Sequence, residues 1–233
     1  VENWRSGKAR ALFQYLVIHR DRLIPRQTLI DALWPDPDAL ASGTSLKVAV
    51  HALRQVLSQV GDDRATFAVL NHGAGYQLNA PHLWLDVEEF ERCYTLGRRL
   101  EAQGRNMEAQ VFYARAAELY RGDFLEEVWE DWAMFRREAL KDQYLSVLAS
   151  LAKAALEAGD YQGCIVRCQQ LLEKDRCRED TYRMLMLCHA RLGQRSRVRS
   201  WYEFCVRTLQ AELDVSPEPE TERLYRLALA GKA

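Results

Sequence analysis

The carboxyl-terminal part of the chain repeats with a period of about 34 residues, which is typical of tetratricopeptide helix-turn-helix units. Gly159 and Gly193 each follow one amphipathic helical segment and precede another. Positions at equal distances from the two glycines correspond in character: Leu151 with Leu185, Ala154 with Cys188, Cys164 with Val198, and Cys168 with Tyr202. Such units bury their apolar faces only by stacking on one another, so the period predicts a domain of stacked helical repeats.

An earlier, less regular unit centres on Gly104. Its second helix carries one face made of Ala109, Phe112, Tyr113, Ala116 and Leu119. The separation between Gly104 and Gly159 is longer than one repeat period. We therefore expect an insertion of about 20 residues beyond one repeat, and place it near residues 122–132.

Residues 1–82 have shorter elements and more turn signals. Ser6 is a good amino-terminal cap for a first helix with Leu12 and Leu16 on its buried face. Pro25 begins a second helix and Pro35 ends it, since proline fits the first turn of a helix but not its interior. A third helix is predicted over residues 44–59.

Two short β-prone runs, residues 67–70 and 76–78, follow the third helix, and the loop 71–75 connects them as a hairpin. Three helices followed by a hairpin are typical of a winged helix-turn-helix. The predicted fold is therefore mainly α. A winged-helix DNA-binding domain over residues 1–82 precedes a tetratricopeptide-like domain over residues 83–233.

No Asp or Glu occurs between Ala39 and Gly61, a segment that includes the third helix. At 100° per residue, its side chains separate into a polar stripe and an apolar stripe. The apolar stripe consists of Leu46, Val50, Leu53 and Leu57. DNA phosphates attract Lys and Arg and repel carboxylates. The candidate DNA-binding residues are Thr44, Ser45, Lys47, His51, Arg54 and Ser58 on the helix, with Asn71 and His72 in the hairpin loop.

Charge supports this division only weakly. The whole chain has a net charge of −1, which argues against a uniformly basic nucleic-acid coat protein. Residues 1–82 contain nine basic and seven acidic side chains, whereas the remainder has a small acidic excess. We therefore expect DNA affinity that is salt-sensitive to a moderate degree.

Other classes of protein are less well supported. The chain has no phosphate-binding G-x-x-x-x-G-K-[ST] loop, no G-x-S-x-G elbow and no H-E-x-x-H motif, so we expect neither an enzyme nor a cofactor. Cys164 and Cys168 share an apolar helical stripe, which favours buried, reduced thiols over a metal site. The longest run without charged residues, 65–85, contains Gly, Asn and Pro and predicts no membrane helix. An interaction scaffold without strong DNA binding is the alternative function.

Several segments in order resemble one known family. Residues 7–34, 45–54 and 73–78 look like an OmpR-type winged helix. The segments Asp86-Val-Glu-Glu-Phe90, Tyr120-Arg-Gly-Asp-Phe-Leu125, Gly159-Asp-Tyr161 and Leu213-Asp-Val-Ser-Pro217 look like a bacterial transcriptional activator domain. Together they resemble the SARP-type, or antibiotic-regulatory-protein-like, transcriptional activators.

The resemblance implies a cytoplasmic bacterial activator that binds promoter repeats in double-stranded DNA, usually as a dimer, and recruits RNA polymerase. The third helix would enter the major groove, and the loop 35–42 would face polymerase. The helical domain would serve dimerisation or the input of a protein or small-molecule signal. OmpR-type domains begin with a small β-sheet, and only Val1–Arg5 precede the first helix here. We therefore expect those strands to be missing or supplied from elsewhere.

Five aromatic residues of the second half have two interpretations. Trp129, Trp132, Phe135, Trp201 and Tyr202 can form a packed repeat core or line a groove for an effector or peptide. Repeat cores are usually built from such residues, so packing is the prediction.

Overall fold

The computed structural model describes residues 4, 6–20, 22–35, 42–59 and 67–232 of the chain. Its contacts form two compact units. The first unit comprises residues 1–84 and 124–137, and the second comprises residues 85–123 and 138–233. The segment 124–137 follows part of the second unit in the sequence, yet its contacts group it with the first.

The first unit is built from three helices and a small antiparallel sheet. Its elements are α1 (Gly7–Ile18), β1 (Ile24–Pro25), α2 (Arg26–Leu33), α3 (Ser42–Leu57), β2 (Ala68–Asn71) and β3 (Gly75–Asn79). The predicted order of three helices and a hairpin is confirmed. The structure adds β1, which pairs with β3 to give the strand order β1-β3-β2. A strand of two residues is too short to show the alternation by which strands are recognised in a sequence.

The core of the first unit lies between α1, α2, α3 and the sheet. Leu12, Leu16, Leu29 and Leu33 are fully buried there, and Val69 and Leu78 reach the same cluster from the hairpin. Helix α1 begins as predicted, because the Ser6 hydroxyl accepts a hydrogen bond from the backbone N–H of Ala9 at 3.4 Å. The apolar faces of the predicted helices thus supply one common core.

The second unit is helical in its described part. Its helices are α4 (Asp86–Ala102), α5 (Asn106–Leu119), the greater part of α6 (Asp131–Glu157), α7 (Tyr161–Lys174), α8 (Glu179–Arg191), α9 (Arg195–Leu213) and α10 (Pro219–Leu229). Helices α4 and α5, α7 and α8, and α8 and α9 pack as sequential neighbours. This confirms the predicted helical repeats. Among the described residues, no helix is both long enough and apolar enough to cross a membrane.

The same turn joins the helices of each repeat. Gly104, Gly159 and Gly193 have φ angles of 74°, 77° and 72°, a region in which a Cβ atom is strained. The residue after each glycine donates a backbone N–H hydrogen bond to the carbonyl oxygen five residues before it. The distances are 3.0 Å for Arg105, 2.9 Å for Asp160 and 2.8 Å for Gln194. This is the Schellman geometry that closes a helix. The predicted repeat period is therefore the spacing of a recurring turn.

The cysteines of the second unit are part of its core. Cys164, Cys168, Cys188 and Cys205 are fully buried among leucine and tyrosine side chains. This confirms the interpretation of Cys164 and Cys168 as small apolar residues. The Sγ atoms of Cys164 and Cys168 lie 3.9 Å apart. Burial raises the pKa of the Cys205 thiol to about 12, so it stays protonated at neutral pH. Among the described residues, no group of three or more His, Cys, Asp or Glu could hold a metal ion.

The packing prediction for the aromatic residues is wrong at two positions. Trp129 is 76% exposed and Phe135 is 78% exposed. Trp132 does pack, but against the core of the first unit, where its ring lies 5.1 Å from that of Tyr15. Trp201 and Tyr202 pack within the second unit. The sequence pattern assigned all five residues to one kind of environment, whereas the segment 124–137 does not belong to the repeat stack.

Strands β1 and β3 approach each other so closely that Gly75 has no room for a side chain. A Cβ atom at this position would lie 2.1 Å from the carbonyl oxygen of Ile24, which is backbone and cannot rotate away. We expect Gly75→Ala to separate the two strands and to lower the free energy of unfolding by about 2 kcal/mol. Urea denaturation followed by circular dichroism would measure the change.

Gly7→Ala is the matched control for this substitution. Gly7 begins α1, and a Cβ atom added there would have no neighbour within 4 Å. We expect stability equal to that of the wild type or slightly higher, because alanine favours helix more than glycine does. Equal unfolding midpoints for the two variants would contradict the close approach of β1 to β3.

Candidate nucleic-acid interface

Helix α3 has one face buried in the first unit. Leu46, Val50, Leu53 and Leu57 are between 0% and 7% exposed and belong to its main core cluster. These four residues are the predicted apolar stripe, so the prediction of this stripe is confirmed. Their burial fixes the rotation of the helix about its own axis.

The opposite face of α3 is open to solvent. Its exposed side chains include five of the predicted site residues: Thr44, Lys47, His51, Arg54 and Ser58. Ser45 is half-buried at the edge of this face. Helix α3 contains no carboxylate along its length. The face therefore presents cationic and hydrogen-bonding groups without a negative charge that would repel phosphate.

Two further residues belong to the exposed face of α3. Val48 is 62% exposed, and Gln55 is also exposed. The Nε2 atoms of Gln55 and His51 lie 3.1 Å apart, within hydrogen-bonding distance. Helical spacing could have identified both residues, since Val48 lies four positions after Thr44 and Gln55 four positions after His51. The predicted polar stripe does not include them.

Arg54 is bonded within the protein. Its Nε and Nη2 atoms donate hydrogen bonds to the carbonyl oxygen of Val69, at 3.2 Å and 2.9 Å. This contact connects α3 to strand β2 of the hairpin. The sequence predicted Arg54 only as a DNA contact, because Val69 lies outside the helix and its pairing with Arg54 carries no local signal.

The hairpin loop consists of His72, Gly73 and Ala74, between β2 and β3. The backbone N–H of Gly73 donates to the Oδ1 atom of Asn71 at 3.1 Å, and Gly73 has a φ of 76°. His72 is exposed at the tip. Both predicted hairpin contacts are thus exposed, and Asn71 already uses its side-chain oxygen to shape the loop.

Arg26, at the start of α2, holds the hairpin from the other side. Its guanidinium donates to Asn71 Oδ1 at 3.3 Å and lies 5.7 Å from the centroid of the Tyr76 ring. Its backbone N–H donates to the carbonyl of Ala74 at 3.1 Å. Arg26 and Arg54 therefore connect the hairpin to α2 and α3. The hairpin, which is the wing of the winged helix, and helix α3 thus form one assembly within the first unit.

The loop predicted to face RNA polymerase, residues 35–42, lies mostly outside the described residues. Only Pro35 and the backbone of Ser42, the first residue of α3, are described. The assignment of this loop stays a prediction.

These features define a winged-helix regulator of the DNA-binding class, with a helical-repeat unit in the same chain. Family models agree with this class. The model for the transcriptional regulatory protein C-terminal domain matches residues 3–78, and the model for the bacterial transcriptional activator domain matches residues 85–229. The chain belongs to the bacterial transcriptional activator domain family, and the predicted SARP-type architecture is confirmed.

Individual relatives are transcriptional regulators. The chain is 24% identical to the regulatory protein DnrI of Streptomyces peucetius over 96% of its own length and 84% of that protein. It is 26% identical to the transcriptional regulatory protein EmbR of Mycobacterium tuberculosis, over 94% of its length but only 56% of EmbR. The chain therefore spans little more than half of EmbR. Members of this family are regulators rather than enzymes.

A solved structure has the same fold. Mycobacterium tuberculosis EmbR, determined in complex with a low-affinity phosphopeptide, superposes with a TM-score of 0.75 at 25% identity. The match covers 99% of this chain and 61% of the EmbR chain.

The contact between Arg54 and Val69 predicts a cost in stability when the guanidinium is removed. Arg54→Ala leaves the Val69 carbonyl without this partner, and we expect the free energy of unfolding to fall by about 1 kcal/mol. Lys47→Ala, on the same exposed face, removes no bond among the described residues and should leave stability unchanged. Thermal denaturation of both variants would test this, and an unchanged midpoint for Arg54→Ala would argue against a structural role.

Proposed function

We propose that this protein binds promoter DNA in a sequence-specific manner through helix α3, with the hairpin beside it, and activates transcription. The proposal rests on one observation. The exposed face of α3 is free of carboxylates and lies opposite a face held in the core. A helix of this kind can enter a major groove, which accepts an α-helix and offers a distinct pattern of donors and acceptors for each base pair.

The residues of the exposed face of α3 would make different kinds of contact with DNA. Lys47 and Arg54 carry the positive charge that phosphates or guanine edges attract. Thr44, Ser45, His51 and Ser58 would add hydrogen bonds. In the hairpin, His72 is better placed than Asn71 to contact DNA, because the Asn71 oxygen already accepts two hydrogen bonds within the protein.

The two domains would have separate roles. Residues 1–82 would be the DNA-binding domain, and residues 83–233 the activator domain, which would dimerise or receive a protein or small-molecule signal. Recruitment of RNA polymerase through the loop 35–42 follows from the family resemblance. A protein that acts on bacterial promoters would work in the cytoplasm.

The alternative is a protein-interaction scaffold without strong DNA binding, which the stacked helices of the second unit would also suit. Selection of DNA from a random pool by the full chain distinguishes the two functions. We expect enriched sequences that contain a direct repeat spaced by about one helical turn, or 10–11 base pairs. A pool without enrichment would favour the scaffold.

Lys47 provides a direct test on the selected DNA. Lys47→Ala should weaken binding roughly three- to tenfold and reduce by about one the slope of log affinity against log salt, because one phosphate contact is lost. Fluorescence anisotropy over a series of salt concentrations would measure both quantities.

Lys153→Ala is the matched control, since Lys153 is an exposed lysine on α6 in the second unit. It should bind DNA as the wild type does. Equal losses in the two variants, or no loss in either, would contradict the assignment of α3 as the DNA-binding helix.

A further inference from the structure

The first unit carries a second distinctive surface, formed by the end of α2 and the segment 124–137. A cavity of about 650 Å³ opens there. We call it the tryptophan pocket, and it is lined by Asp31, Ala32, Pro35, Glu127, Trp129, Glu130, Asp131 and Trp132. All of its residues belong to one compact unit.

Trp129 is the most unusual residue of this pocket. It is 76% exposed, although the burial of so large an aromatic side chain is strongly favourable. Phe135, one helical turn after Asp131 on α6, is 78% exposed. A tryptophan that is exposed in the free protein and set in a pocket is typical of the anchoring residues of protein interfaces.

The exposure of Trp129 is built into the fold. Arg137 donates hydrogen bonds to the carbonyl oxygens of Phe124, Leu125 and Val128, at 2.6 Å for Phe124 and 2.7 Å for Val128. The side chain of Val128, which precedes Trp129 in the sequence, is buried. The backbone leading to Trp129 is therefore fixed, so a partner would meet a prepared surface and lose little conformational entropy in binding it.

The pocket is acidic. Four of its lining residues are carboxylates, and two of these have cationic partners: Glu127 lies 2.8 Å from Arg10, and Glu130 lies 3.5 Å from Lys8. Asp31 and Asp131 form no ion pair among the described residues, and Asp31 only accepts a hydrogen bond from Gln27 at 2.7 Å. Within the described part of the chain, two of the four carboxylates beside the exposed indole ring thus lack a cationic partner.

We propose that the tryptophan pocket binds a basic segment of a partner protein, with an arginine side chain stacked on Trp129. A guanidinium is attracted to the face of an indole ring and pairs with carboxylates in a planar geometry, so the pocket offers both interactions that arginine favours. An acidic segment would be repelled by the same carboxylates. The inference does not depend on the proposed DNA binding, because no residue of α3 or of the hairpin lines the pocket.

Selection of random dodecapeptides displayed on phage, with the full chain as the target, would identify the preferred chemistry. We expect arginine to be enriched, and the enrichment to be lost when the target carries Trp129→Ala. Absence of enrichment, or enrichment of acidic peptides, would overturn the proposal.

An enriched peptide, labelled with fluorescein, allows matched variants to be compared by anisotropy. Trp129→Ala should weaken binding at least tenfold, and Asp131→Asn roughly threefold. Trp84→Ala is the control, because Trp84 is 61% exposed in the same unit and does not line the pocket. It should change affinity less than twofold. Equal effects of Trp129→Ala and Trp84→Ala would contradict the proposed site.

Two further measurements distinguish the tryptophan pocket from a DNA contact and from a dimer interface. Trp129→Ala should bind selected promoter DNA with the affinity of the wild type. The proposed DNA binding and the proposed peptide binding can therefore fail independently of each other. Sedimentation equilibrium should show the same association state for Trp129→Ala and the wild type. Dimerisation that Trp129→Ala abolishes would assign the pocket to a second copy of the chain and overturn the proposal.

Discussion

The burial of one face of α3 is the constraint on which the first unit depends. Burying a leucine or valine side chain stabilises the folded state by about 1.5–3 kcal/mol. The four buried residues of this helix therefore determine its rotation more strongly than its polar side chains do. A rotation of the helix would expose them. The core therefore determines which side chains face outward, and Lys47 and His51 are exposed because Leu46 and Val50 are not. Val69 and Leu78 bring the hairpin onto the same core, so the helix and the wing are positioned by one set of contacts.

Polar contacts then specify how the hairpin is attached. The pairing of β2 with β3 and the burial of Val69 and Leu78 set the register of the hairpin, and the bonds from Arg54 to Val69 and from Arg26 to Asn71 attach it to α3 and α2. Arginine suits this task because its planar group offers several donors in fixed directions. It also keeps its charge while bonded, so Arg54 can hold the hairpin and still contribute positive potential to the exposed face of α3.

The features that the sequence predicted well are those with a local signal. The stripes of α3 follow from helical periodicity, and the turns at Gly159 and Gly193 follow from a residue that tolerates positive φ. The features that it missed depend on partners distant in the chain. Strand β1 forms only because β3, which follows much later in the sequence, pairs with it. Likewise, Arg26 at the start of α2 bonds to Asn71 at the end of β2, 45 positions further along the chain. The exposure of Trp129 was mispredicted because an aromatic residue between helices is usually buried, and nothing local shows that the segment 124–137 belongs to the first unit.

That segment also changes how the charge of the chain is understood. By sequence position, residues 1–82 have a small basic excess. The first unit as the structure defines it contains eleven basic and eleven acidic side chains, because residues 124–137 contribute four acids and only two bases. The unit is therefore neutral as a whole but uneven over its surface, with the carboxylate-free face of α3 in one place and the acidic tryptophan pocket in another. At an ionic strength of about 0.15 M, fields between exposed charges decay over about 8 Å, so a side chain on either surface responds mainly to the charges within that distance. The net charge of the chain therefore does not describe the local charge that either surface presents to a partner.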